Sequence, residues 1–148
     1  LSSPAFADGS TIPKRHTADA ENVSPMLTWN EAPPGTESLA LVCEDPDAPK
    51  GLFVHWLVWN IAASERELRE GVPRDERSSG IRQGQNGFGD AGWGGPSPPP
   101  GKPHRYVFRL YALDYRPELP NGANRAELDR AIEGHILSET MLIGMYGR

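Results

Sequence analysis

Residues 38–61 read SLALVCEDPDAPKGLFVHWLVWNI, and this run decides how the rest of the chain is read. Ser38 to Cys43 and Val54 to Ile61 are apolar on both parities, the pattern of central strands covered on two sides. Between them, Asp45-Pro46-Asp47-Ala48-Pro49 places two carboxylates and two prolines in a rigid turn. Each proline fixes its own φ and drives the preceding residue out of the helical region, so Asp45 and Ala48 are held extended. Asp45 continues the face of Leu39, Leu41 and Cys43 by the two-residue period of a strand. Both aspartates also suit plain turn capping, in which the carboxylate accepts from nearby backbone N–H groups.

Composition limits the possibilities. The 148 residues carry a formal charge of -5, with 15 Lys and Arg against 20 Asp and Glu. The basic residues are scattered, which argues against a phosphate backbone and so against nucleic acid as partner. One domain covering 1–148 is expected, large enough for a substantial core. The single cysteine, Cys43, lies in an apolar run and reads as a small buried hydrophobe, which points to a reducing, cytoplasmic setting. No run approaches the roughly 20 apolar residues that span a bilayer, and residues 1–8 lack the features of a signal peptide.

Outward from the central run, Asp8-Gly9 sits between Pro4-Ala5-Phe6 and Thr11-Ile12 and predicts a short hairpin. Residues 25–29, Pro-Met-Leu-Thr-Trp, predict a short strand. Ser64 and Glu67 form an S-x-x-E pattern ahead of Gly71 and Pro73, which predicts a helical turn over 64–70. Residues 71–101 are rich in Gly, Pro and Ser and read as one long functional loop, with Asn86, Phe88 and Trp93 packed among its glycines. His104 to Asp114 is the clearest strand, with His104, Tyr106, Phe108 and Leu110 on one face. Asn124 and Glu127 predict a second capped helix, whose apolar positions run through Leu128, Ala131, Ile132, His135 and Ile136. His135 thus reads as a core histidine and His16, in a polar segment, as solvated. Glu139 to Tyr146 reads as a closing strand. The class that follows is mainly β.

Asp45, His55, His104 and Tyr106 each lie at a strand end beside a rigid turn, and they share one mouth if those turns gather at one end of a sheet. Two imidazoles, a phenol and backbone N–H groups at Gly94 and Gly95 would then hold a small anion. Asp45 would orient an imidazole, or meet an amine on the ligand. Anion affinity is then expected to weaken as pH rises through the imidazole range. A hydrolase using Ser97, His104 and Asp45 is a second reading, although Ser97 lies outside a G-x-S-x-G elbow. A metal site on His55, His104 and a carboxylate is a third, although no H-x-x-x-H spacing is present.

The runs LALVCEDPDAPKGLFVHWLVWNI and GGPSPPPGKPHRYVFRLYALD, with SPAFADGSTIP, SPMLTW and GHILSETMLIGMYGR in order around them, resemble the phosphatidylethanolamine-binding protein family, most closely its prokaryotic Raf-kinase-inhibitor-like branch. The resemblance implies an antiparallel, Greek-key-like β-sandwich with a few short peripheral helices and one C-terminal helix. It implies a pocket for a phosphate-like anion or phosphoethanolamine head group, formed by Asp45, Asp47, Pro49, His55, Gly95, Pro96, His104 and Tyr106. Trp93 stands where the family often has a tyrosine at the pocket rim. It also implies binding without turnover, no cofactor or resident metal, and as candidate partners a kinase or other protein and a second copy of the chain. One cis X-Pro bond is expected within the DPDAP or GPSPPPG turn.

Overall fold

The computed structural model describes residues 1–75 and 80–148. Its centre is a five-stranded antiparallel sheet in the order β5-β3-β2-β6-β7. These strands are β2 (Ser38–Asp45), β3 (Phe53–Ala62), β5 (Arg82–Gln83), β6 (His104–Leu113) and β7 (Ile136–Tyr146). A two-stranded sheet pairs β1 (Leu27–Thr28) with β4 (Glu67–Leu68). One helix, α1 (Arg125–Ile132), precedes β7, and one 3-10 turn spans Lys14–His16. The fold is mainly β, as the strand pattern implied, and antiparallel, as the family resemblance implied.

The apolar residues of both parities have separate destinations. On one face of the sheet Leu39, Leu41, Cys43, Trp56, Val58 and Phe108 pack against Leu27 and Leu68 of the smaller sheet and against Trp29, Phe6 and Ile12. On the other, Ala40, Val42, Leu57, Trp59 and Leu113 pack against Leu128 and Ile132 of α1. All eight residues of β2 are buried, so this strand serves two cores at once. The helix begins at Asn124, whose side chain accepts from Glu127 N while Glu127 reaches back to Asn124 N, a reciprocal cap at 2.9 and 3.0 Å.

Several expectations need correction. The predicted helical turn over 64–70 is instead a turn followed by β4, because Leu68 is buried opposite Leu27 and the segment carries no apolar stripe to pack as a helix. The Asp8-Gly9 turn forms, with Gly9 at φ 80 and Ser10 N donating to Ala7 O. Its arms do not pair with each other, however: Ser2 bridges to Thr28 and Thr11 to Met145. His16 is buried, with Nδ1 2.9 Å from Val23 O. His135 lies beyond α1, half-buried, with Nδ1 2.7 Å from Asp114 Oδ1 and its ring 4.0 Å from that of Tyr115. Every peptide bond among the described residues is trans, so the expected cis proline is absent from both turns. The DPDAP chain reversal is made by a side-chain-closed turn at Asp45, and trans is the lower-energy isomer.

Candidate functional site

At the end of the sheet where β2 meets the DPDAP turn, a cavity of about 170 Å³ is lined by Asp45, Ala48, Pro49, Phe53, His55, Phe88, Ser97, Pro98, Pro99, His104 and Tyr106. Cavities of about 210 Å³ beside Trp29 and Ser138 and about 760 Å³ beside Glu67 and Val72 lie elsewhere, and neither is lined by a histidine.

Asp45 organises the polar side of the cavity. It is 3% exposed. Its Oδ1 accepts from Asp47 N at 2.7 Å, which closes the turn, and its Oδ2 accepts from His104 Nδ1 at 2.7 Å. The carboxylate therefore fixes the His104 tautomer and directs Nε2 away from itself. His104 and Tyr106 lie on the β6 face that continues through Phe108, as the two-residue period required.

His55 arrives by a different route. Strict alternation would put it with Leu57 and Trp59 on the helix side of the sheet, away from Asp45. The β2–β3 register passes from Cys43↔Trp56 to Glu44↔Val54, leaving His55 as the extra residue of a β-bulge. The bulge turns it onto the cavity side, next to Tyr106, with ring centroids 5.1 Å apart. Its Nδ1 lies 2.5 Å from Gly94 O. A carbonyl only accepts, so Nδ1 carries the proton and Nε2 is left open. Burial pushes the His55 imidazole below its ordinary value, against the opposing pull of the Gly94 carbonyl and Asp45. Burial, reinforced by Asp45, pushes the Tyr106 phenol well above its own, so its hydroxyl stays protonated.

Three of the anticipated residues stand outside the cavity. Asp47 turns to Arg105, which donates to it from backbone N, Nε and Nη2 at 2.9, 3.0 and 2.8 Å. Those hydrogen bonds, led by the guanidinium's, hold its carboxyl well below the usual carboxylate range. Gly95 and Pro96 pack against the 16–22 segment: Gly95 N donates to Asn22 Oδ1 at 2.9 Å, and Pro96 O accepts from Ala18 N at 3.0 Å. Gly94 N is likewise used, donating to His55 O at 2.9 Å, so neither glycine N–H is open to an anion. Trp93 is 3% exposed and stacked on Phe108 at 6.0 Å, a core residue with no place at a rim. Among the wall residues not singled out as ligand contacts, two are aromatic. Phe53 shares the bulged strand with His55, and its spacing of two was the available signal; Phe88 was visible only as an aromatic among glycines.

The geometry bears on the other two chemistries. Asp45 and His104 form a hydrogen-bonded pair and Ser97 lines the same cavity, but no hydrogen bond joins Ser97 to His104 among the described residues. No group of three or more His, Cys, Asp or Glu able to hold a metal is found among them either. No helix of the described residues is long and apolar enough to cross a membrane.

The chain is similar to known proteins along nearly its whole length. It is 47% identical to the UPF0098 protein of Methanothermobacter thermautotrophicus, across 100% of this chain and 98% of that protein. The Chlamydia trachomatis protein CT736 superposes with a TM-score of 0.90 at 35% identity, covering 99% of this chain and 95% of its own. Escherichia coli YbcL, a member of the mammalian PEBP family, superposes with a TM-score of 0.92 at 31% identity, covering 99% and 96%. A family model for phosphatidylethanolamine-binding proteins matches residues 2–147, and the chain belongs to that family.

Proposed function

We propose that the cavity binds a small phosphate-type anion, free or as the head group of a phospholipid. One observation carries this reading. His55 Nε2, His104 Nε2 and the Tyr106 hydroxyl belong to side chains that line one cavity, and none of these atoms has a hydrogen-bond partner among the described residues. These atoms are not sealed inside the protein: among the described residues the buried side-chain polar atom left without a partner is Asn60 Oδ1, away from this cavity. Here the ring nitrogens facing the backbone and Asp45 are paired, and those that remain are the ones a ligand can reach.

The same arrangement makes binding depend on protons. A neutral imidazole whose Nδ1–H is already committed offers only a lone pair at Nε2. That lone pair can accept from a protonated ligand oxygen. To donate to a bare phosphoryl oxygen, the ring must first take up a proton, giving a charge-assisted hydrogen bond. Tyr106 donates at any ordinary pH. Affinity for an anion therefore rises with acidity, and the name of the family adds phosphatidylethanolamine as the lipid from which such a head group would come.

Calorimetric titration of the whole chain with inorganic phosphate and with phosphoethanolamine from pH 5 to pH 9 tests the reading. Expected are binding that weakens as pH rises, proton uptake measured by comparing buffers of different ionisation enthalpy, and a loss of about tenfold in affinity in His104→Ala. Failure of phosphate to bind at any pH, or unchanged affinity in both His55→Ala and His104→Ala, overturns it.

A further inference from the structure

Beside the His55 imidazole the cavity lining is aromatic, made by Phe53 and the half-exposed Phe88. We propose that Phe88 is a specificity-determining residue, making the cavity favour anions that carry a flat apolar substituent over the bare anion. This rests on the anion-binding reading above. The Phe88 ring meets Phe53 at 4.8 Å and 66° and His55 at 5.9 Å and 68°, both edge-on. It is nevertheless 49% exposed, a large aromatic held with one side uncovered at the mouth of a site.

The loop that presents Phe88 is built to keep it there. Buried Asn86 donates from Nδ2 to Gly92 O at 2.9 Å, while its Oδ1 accepts from Phe88 N at 2.9 Å and Asp90 N at 3.3 Å. Gly87 N ties the loop to Val54 O of β3 at 2.8 Å. Two glycines leave space for the rings: a Cβ on Gly94 would come within 2.5 Å of Phe88, and one on Gly87 within 2.5 Å of Phe53. Chain tethers and glycine clearances thus fix a phenyl face that the protein does not cover.

The hydrogen bonds already made at the cavity leave a substituent aromatic surface, rather than an unengaged carboxylate, to meet. Each Asp45 oxygen already accepts a hydrogen bond, and Asp47 is paired with Arg105 outside the lining. No unengaged carboxylate of the lining faces the aromatic wall. The volume of about 170 Å³ is close to that of an apolar protein cavity of about 150 Å³ known to admit benzene alone, so with the anion seated at the imidazoles a ring would lie partly at the mouth, against exposed Phe88. Edge and face contacts among aromatic rings supply the preference.

Isothermal titration of the full chain with inorganic phosphate, phenylphosphonate and phosphoethanolamine at one fixed pH provides the test. Phenylphosphonate is expected to bind about tenfold more tightly than phosphate. Phe88→Ala should erase that preference, lowering phenylphosphonate affinity by about tenfold more than phosphate affinity. Phe88→Leu retains an apolar side chain in the loop and should keep part of the preference, which decides the matter if the alanine variant does not fold. Equal affinity for phosphate and phenylphosphonate in the wild type overturns the inference and leaves the anion reading standing. So does an equal loss for both in Phe88→Ala, which would mean that Phe88 acts by holding His55. A Phe88-dependent preference for phosphoethanolamine overturns it in favour of recognition of the amine. Failure of phosphate itself to bind removes the anion reading and this inference together.

Discussion

Glu44 and Asp45 are neighbours on β2, both carboxylates and both buried, at 5% and 3% exposure, yet their surroundings are finished differently. Glu44 faces α1, where Oε1 accepts from Arg109 at 2.7 Å and Oε2 from Arg125 at 3.2 Å. Those guanidiniums continue to Glu139 and Asp129, so both Glu44 oxygens and both guanidiniums have partners within the protein. Asp45 faces the cavity, and the chain of contacts it starts runs through His104 and stops at an open nitrogen. Burial and charge alone therefore do not separate a carboxylate in a structural network from one at the proposed binding site. What separates them is whether the polar groups around the carboxylate are used up.

The comparison is broken most severely on the Glu44 side. Glu44→Ala leaves two guanidiniums without their shared partner, and removing one member of a buried ion pair costs about 3 to 5 kcal/mol. Arg109 and Arg125 remain 30% and 21% exposed, so the low end, about 3 kcal/mol, is expected in urea denaturation, with phosphate affinity unchanged. A loss below about 1 kcal/mol would mean the network is an ordinary surface cluster. Next comes Asp45→Asn. It removes the anionic partner of His104 and offers an N–H where the ring needs an acceptor, so phosphate affinity at neutral pH should fall about tenfold with a smaller effect on stability. Unaltered affinity would place Asp45 with Glu44 as a purely structural carboxylate.

The buried imidazole sharpens the contrast through pH. The unfolded chain protonates His55 near pH ~6.5, whereas the folded chain does so only at a lower pH because burial opposes the charge. Between those two values the unfolded state holds the extra proton, so stability falls as pH falls. This contribution is complete above the unfolded value and is lost on acidification through that window. Wild type should accordingly lose more stability than His55→Gln between neutral and mildly acidic pH, and phosphate should offset the loss. Parallel stability profiles for the two proteins would show that burial of His55 has no titration consequence. The smallest effect is expected for Asp47→Asn: because Asp47 faces Arg105 outside the cavity, phosphate affinity should stay within about twofold, and a larger loss would bring Asp47 back into the site.

Much of this was legible in the residues, because stiff turns and apolar strands act locally. The prolines around Asp45 announced a fixed turn, the double-parity apolar runs announced strands between two cores, and alternation along 104–110 placed His104, Tyr106 and Phe108 on one face. The missing parts depend on pairing between distant segments. Nothing near His55 encodes the bulge that turns it over; the bulge arises from register against β2. The N–H groups of Gly94 and Gly95 looked free until His55 O and Asn22 Oδ1 took them. The Ser64 and Glu67 pattern favoured a helical turn, but burial of Leu68 against Leu27 prevailed. His16 sits among polar neighbours in sequence and beneath Trp93 in space, its carbonyl accepting from the indole at 3.2 Å.

The path of residues 8–12 has a consequence for the order in which the molecule is made. Gly9 N and Ile12 N donate to Ile143 O and Met145 O at 2.7 and 2.8 Å, and Met145 N returns to Ser10 O at 2.9 Å. Ile143 N also donates to the Asp8 carboxylate, 135 residues away in the chain. Ile12 is fully buried, in space left by the missing side chain of Gly144. On a ribosome, the segment 8–12 emerges among the earliest of these residues and waits for the strand that receives it. Until β7 has been synthesised, Phe6 and Ile12 have no partner there to cover them, a period in which exposed apolar surface invites aggregation or a chaperone. Pairing over such separations is slow to find, so the contacts of residues 8–12 form only once β7 is available to receive them.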